Sequence, residues 1–270
     1  MEGICTCVGA AGYSLEDGVL KRLAVLVLAY LTGAVPFSNL LAGRLAGVDL
    51  RRFGNGTVSG TSLYKVSGFR ALATAGILDI AKGASAPLLA RRVAEVAARS
   101  ARPAAGPVDA GAADPPAPAT AADPAAAATG ARPTLWRAPS VLEAAASGLV
   151  VAGHNWSPYL DGAGGRGIAP SVGAYLVVAP EGAVLLLGGL TIGRLVHHSG
   201  IGTLAGQLAV IPVLRATRGR QGALAGLAVV APMLAKRVMG NSRPASRAPR
   251  IYLARLLFDR DSWSAGGVED

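Results

Sequence analysis

The chain has 270 residues, 51% hydrophobic and only 16% charged, with a formal net charge of +10. Apolar segments recur along most of its length, which points to an all-α, polytopic membrane helix bundle rather than a soluble domain. The basic residues gather at the ends of those segments, where lipid headgroups account for them, so nucleic acid is not the expected partner.

Residues 1–18 read as a polar tail, expected to be loosely ordered. Its Cys5 and Cys7 have no cysteine or metal-ligand companions elsewhere and receive no role. Glu16 and Asp17 precede Lys21 and Arg22, and no cleavage pattern follows, so the first apolar segment reads as a retained helix. That segment, Leu23 to Val48, carries Gly33, Pro36, Ser38 and Asn39, and Arg44, Arg51 and Arg52 serve as anchors at its end. A loop rich in small hydrogen-bonding residues follows: Gly54, Asn55, Gly56, Thr57, Thr61 and Ser62, ending at the cation Lys65. It lacks the Gly-Lys-Ser/Thr ending of a P-loop, and reads either as an ordinary polar loop or, our preference, as part of a site.

The second predicted span, Phe69 to about Leu89, contains Asp79 and Lys82, three residues apart and so on one helical face. Ionisable groups at membrane depth cost about 3 kcal/mol each, so they pair or face a polar cavity. Both readings stand: a self-neutralised pair that fixes packing, or a contribution to a site. Residues 97–137 are dominated by Ala, Pro, Gly and Asp and read as a disordered linker. They divide a first membrane part, 19–96, from a second, 138–240.

The third span, Val141 to about Trp156, ends in the turn Gly153 to Gly167. Gly164, Gly165 and Gly167 allow backbone N–H groups to converge, Arg166 adds a fixed positive charge, and Pro170 suits the start of a helix. The turn reads as a phosphate or carboxylate cradle at a helix N-terminus, or as a connector whose arginine anchors at headgroups. His154 at its entrance is either a structural residue or part of the site. No metal-ligand spacing accompanies it, so no metal is expected. Residues 170–195, interrupted by Pro180-Glu181-Gly182, read as two helices or as one kinked helix. Gly200–Leu214 and Gly222–Leu234 are two short apolar segments separated by Arg215, Arg218 and Arg220. Residues 241–270 form a basic tail, in which Ile251 to Phe258 reads as a solvated stretch or a short surface helix.

Three of these stretches together resemble the bacterial acyl-phosphate:glycerol-3-phosphate acyltransferases, the PlsY family. Gly33-Ala34-Val35-Pro36 through Lys65 is similar to the family's first helix and loop. Leu78-Asp79-Ile80-Ala81-Lys82-Gly83 is similar to its Asp-x-x-Lys-Gly helix, and Gly153-His154 through Gly167 to its Gly-His…Gly-Gly-Lys-Gly turn. Arg166 stands for the lysine of that turn and Lys65 for an arginine of the loop. Asn55 stands for the loop serine, and Thr57 and Ser62 each for an asparagine. The C-terminal motif is matched only in its last half, by Leu234–Val238 or Tyr252–Leu256, without its histidine or asparagine.

The resemblance implies a bundle of about seven membrane helices in the cell membrane. It implies transfer of an acyl group from acyl phosphate to glycerol 3-phosphate, giving lysophosphatidic acid for phospholipid synthesis, with no metal or other cofactor. Membrane lipids and the two phosphorylated substrates are the expected partners. Asn55, Thr57, Lys65 and Arg166 are then the expected catalytic residues. Gly54, Gly56, Thr61, Ser62, Gly164, Gly165 and Gly167 are the expected phosphate binders, supported by Asp79, Lys82 and His154. A non-catalytic relative binding phospholipid precursors and a small-solute transporter are the alternatives.

Overall fold

In the computed structural model, residues 5–54, 56–100, 139–241, 244 and 247–259 are described, with side chains from Gly18 onward. Every regular element among them is helical. They are α1 (Cys5–Ala34), α2 (Phe37–Ala46), a 3₁₀ turn at Leu50–Arg52, α3 (Gly60–Ser100), α4 (Val141–Asn155), a second 3₁₀ turn at Pro158–Leu160, α5 (Ile168–Val178), α6 (Pro180–Leu195), α7 (Ser199–Met239) and α8 (Pro249–Phe258). The predicted linker lies largely outside the described residues. The first helix begins at Cys5 rather than near Leu23, so the expected loose tail is helical from that point.

Three stretches, Gly18–Ala46, Gly60–Ser100 and Ser199–Met239, are long and apolar enough to cross a membrane. Leu23, Phe69, Ile77, Val184 and Leu227 lie exposed on the outer faces of the bundle, the arrangement a lipid environment favours. The long α7 is two helices in one. Gly219 adopts φ 69°, ψ −156°, a region closed to residues with a Cβ, and the chain doubles back there. The two short apolar segments of the sequence thus form a hairpin whose corner carries Arg218. Residues 170–195 likewise resolve into two helices, broken at Ala179 (φ −166°, ψ 85°), with Pro180 at the first turn of α6.

Helix α4 is central, packed against α1, α3, α5 and α7. Its start is set locally by a capping box. The Ser140 side chain accepts from Glu143 N, and the Glu143 carboxylate accepts from Ser140 N at 2.7 Å. Nine of its residues, from Glu143 to Asn155, are buried, so nearly every face of the helix meets protein. Small residues set the spacing. A Cβ at Gly83 would overlap the carbonyl of Pro170, and one at Gly173 would overlap that of Ile80, so α3 and α5 approach backbone to backbone. Helix α5 packs on both α3 and α6 and becomes the floor between them.

Candidate functional site

Above that floor lies a cavity of about 850 Å³. Part of its lining is polar: Gly54, Thr57, Thr61, Ser62 and Lys65 from the loop into α3, Arg166 and Gly167 from the glycine turn, and Arg194 from the end of α6. Its apolar walls include Leu72, Ile80, Val172, Leu187, Leu190 and Met233.

The two motif loops are bound to each other. Val58 N donates to Gly164 O at 3.2 Å, and Arg51 bridges Asp49 and Asp161 at 2.8 and 2.7 Å. That bridge holds the Asp49 carboxyl below the usual carboxylate range, chiefly through its hydrogen bond from Arg51. The turn is also fastened to α1: Ser157 Oγ donates to Ala34 O at 2.6 Å, and Tyr30 OH donates to Trp156 O at 2.7 Å. Within the first loop, Ser62 Oγ donates to Thr57 O at 2.9 Å and lies 3.3 Å from Ser59 Oγ. Lys65 is exposed and, like Arg194, has no ion-pair or hydrogen-bond partner among the described residues.

The glycine turn differs from the expected cradle. It does precede a helix, since α5 begins at Ile168. However, Gly165 N donates to His154 O at 3.2 Å and Gly164 N donates to the Asn241 side chain at 3.3 Å, so neither amide is open to a ligand. The physical requirement at Gly165 is close approach: a Cβ there would overlap the His154 ring. Gly56, Gly164 and Gly165 do not face the main cavity, whereas Gly54 and Gly167 do. Asn55 lies outside the described residues.

Lys82 is turned away from the cavity. Its Nζ contacts Asp79 Oδ1 at 2.8 Å, donates to Val35 O at 2.7 Å and lies 5.3 Å from the Phe37 ring centre. The self-neutralised pair therefore describes Lys82 fully. Asp79 also lines the cavity, with His154 Nδ1 at 3.7 Å, so it faces both environments.

Several positions around the cavity were not apparent as site residues in the sequence. Arg166 pairs with Asp259 at 2.9 Å and donates to Lys236 O at 2.9 Å. Arg237 donates to Gly200 O and shares the wall with Asp259. The C-terminal helix α8 packs on α7 with Arg255 fully buried and donating to Met239 O at 2.6 Å, so it is docked rather than solvated, and Asp259 at its end lines the cavity. Asn241 holds Gly164 from both sides, donating to its carbonyl at 2.8 Å. A Gly-Asn pair at a helix end is the only local signal for that residue, and it marks many turns.

A helical bundle with lipid-facing surfaces and a cavity lined by cations and apolar side chains is that of an integral membrane protein. The chain belongs to the glycerol-3-phosphate acyltransferase family, whose sequence pattern matches residues 23–242. It is 28% identical over 169 residues to glycerol-3-phosphate acyltransferase 5 of Dehalococcoides mccartyi, covering 63% of this chain and 54% of that one. It is 26% identical over 186 residues to the glycerol-3-phosphate acyltransferase of Thermoanaerobacter pseudethanolicus, covering 68% and 72%. The chain thus spans about half the length of the D. mccartyi relatives it matches. A crystal structure of PlsY, an integral membrane glycerol 3-phosphate acyltransferase in its glycerol 3-phosphate form, superposes with a TM-score of 0.58. That match has 19% identity over 80% of this chain and 88% of the other. A second PlsY structure, in a lysophosphatidic acid form, superposes at 0.57 with 18% identity, over 80% of this chain and 87% of that one.

Proposed function

We propose that the chain is a multi-pass enzyme of the bacterial plasma membrane that moves an acyl group from acyl phosphate to glycerol 3-phosphate. The products are lysophosphatidic acid and inorganic phosphate. The observation that carries this reading is the convergence of Lys65, Arg166 and Arg194, from three separate segments, on one cavity that also has apolar walls. Both substrates bear phosphate, and one bears a lipid chain. The relatives captured with glycerol 3-phosphate and with lysophosphatidic acid support the same pair of ligands. Seven passages through the membrane fit the order of helices when α1 and α2 count as one span, the hairpin at Gly219 as two, and α8 is left out.

Catalysis on this reading is positioning and charge stabilisation. Lys65, Arg194 and Arg166 neutralise phosphate oxygens, the first two without first giving up a protein partner. Thr57, Thr61 and Ser62 orient the glycerol hydroxyl. Its oxygen attacks the acyl carbonyl carbon, the carbon–oxygen bond to phosphate breaks, and the departing phosphate takes the hydroxyl proton. Phosphate is a good leaving group, so no protein nucleophile is required. His154, Asp79 and Lys82 hold α3, α4 and the glycine turn in register. Gly54 and Gly167 let backbone approach the ligand, and Asn55 belongs to the same loop.

The test is acyl transfer by purified protein in liposomes, with acyl phosphate and labelled glycerol 3-phosphate, and acyl-CoA as the parallel donor. Lysophosphatidic acid from acyl phosphate alone is expected. A second reading, a binding-only relative, draws on the Arg166–Asp259 pair, which occupies part of the anion site with the chain's own carboxylate. Binding of glycerol 3-phosphate without product from either donor identifies that case.

A further inference from the structure

Ser199, Thr203 and Gln207 stand four residues apart on α7, and all three line the cavity. The next positions on that face, Val210 and Leu214, are fully buried in the apolar core. The polar stripe therefore ends at Gln207, about 12 Å along the helix axis from Ser199. Thr203 satisfies itself locally by donating to Ser199 O at 2.7 Å. Gln207 does not. It is 2% exposed, its Nε2 reaches only Met233 Sδ at 3.9 Å, and its Oε1 has no hydrogen-bond partner among the described residues. Met233, which Gln207 touches, lines the cavity together with the apolar Ile80 and Val172. An amide placed there without a partner is costly, so its presence points to a ligand that pairs with it.

We propose that Gln207 is a specificity-determining residue that recognises a hydroxyl group carried partway along the acyl chain. The inference rests on the acyltransferase reading. With the acyl phosphate group among Thr57, Lys65 and Arg166, the chain runs inward over Val172 between α3 and α6 and meets Gln207 at the end of the stripe. A chain hydroxyl donates to Oε1 and accepts from Nε2. A plain methylene chain leaves Oε1 unpaired and Nε2 with only the weak thioether acceptor, which lowers its use by about tenfold.

The experiment compares acyl phosphates of matched length, with and without a mid-chain hydroxyl, as donors for the purified full chain. The hydroxylated donor is expected to be favoured about tenfold in kcat/KM, a ratio that Gln207→Leu and Gln207→Met both abolish. Equal use of the two donors by the wild type overturns the inference, and so does a ratio that neither substitution moves. The wild-type ratio decides alone if the variants do not fold. Absence of product from every donor overturns the acyltransferase reading instead. Gln207 is then tested by thermal stabilisation with non-hydrolysable acyl phosphonates. A larger shift with the hydroxylated compound supports the inference, and equal shifts overturn it.

Discussion

The two ends of the bundle use their arginines differently. At the end opposite the cavity, Arg91 donates to Glu143 at 2.7 Å and to Val177 O at 3.0 Å. Arg218 grips Glu181 at 2.9 Å and donates to Val178 O at 3.2 Å. Each of these arginines ties three helix ends together, and each has a carboxylate of its own. At the cavity end, Lys65 and Arg194 have no protein partner among the described residues, while Arg166 and Arg237 crowd around one carboxylate, Asp259. Cations closed by carboxylates stabilise a fold. Cations left in excess over carboxylates in a half-enclosed cavity hold a site open for an anion.

The strongest way to break this contrast is at the closed end. Arg91→Ala removes a guanidinium from the fully buried Glu143, and Arg218→Ala removes one from the part-buried Glu181. Each is expected to cost about 3 kcal/mol of stability, read as a lower unfolding temperature, with turnover of the folded fraction retained. Loss of turnover without loss of stability places those arginines in the chemistry and ends the contrast. At the open end, Arg166→Ala is expected to lower kcat by about 10²-fold or more, with a smaller drop in unfolding temperature than either closed-end variant. Unchanged turnover removes Arg166 from the site.

Lys65 sharpens the comparison, because it has no partner to lose. Lys65→Ala is expected to raise KM for glycerol 3-phosphate about tenfold while leaving the unfolding temperature unchanged, and Lys65→Arg restores binding. The smallest effect belongs to the Asp49–Arg51–Asp161 bridge. Arg51 depresses the Asp49 pKa in the folded protein, so the stabilisation is present at neutral pH. It fades as pH falls from the usual carboxylate range through the depressed value. A small loss of unfolding temperature over that acid range, absent in Asp49→Asn, is the expected observation.

Much of the fold was legible because its signals are local. The apolar span from Val141 is observed as α4, and Ser140 and Glu143 carry the capping-box pattern at its start. The apolar segments on either side of Arg215–Arg220 become the two arms of the α7 hairpin. The motif loops also converge as their residue types suggested, since Thr57, Lys65, Asp79, His154 and Arg166 all border one cavity.

Sequence alone determined the helical class, the membrane setting and the segments that carry the polar loops, because hydrophobic periodicity and turn chemistry act over a few residues. Tertiary structure decided which polar groups remain available. Asn241 and His154 take up the Gly164 and Gly165 amides, Lys82 turns to Asp79 and Val35, and Asp259 returns from the C-terminal helix to Arg166. Packing likewise leaves Gln207 open at the end of the polar stripe. Hydrogen bonds and ion pairs join whatever the fold brings within about 3 Å, regardless of separation along the chain, so composition and spacing alone do not reveal which donors are spent.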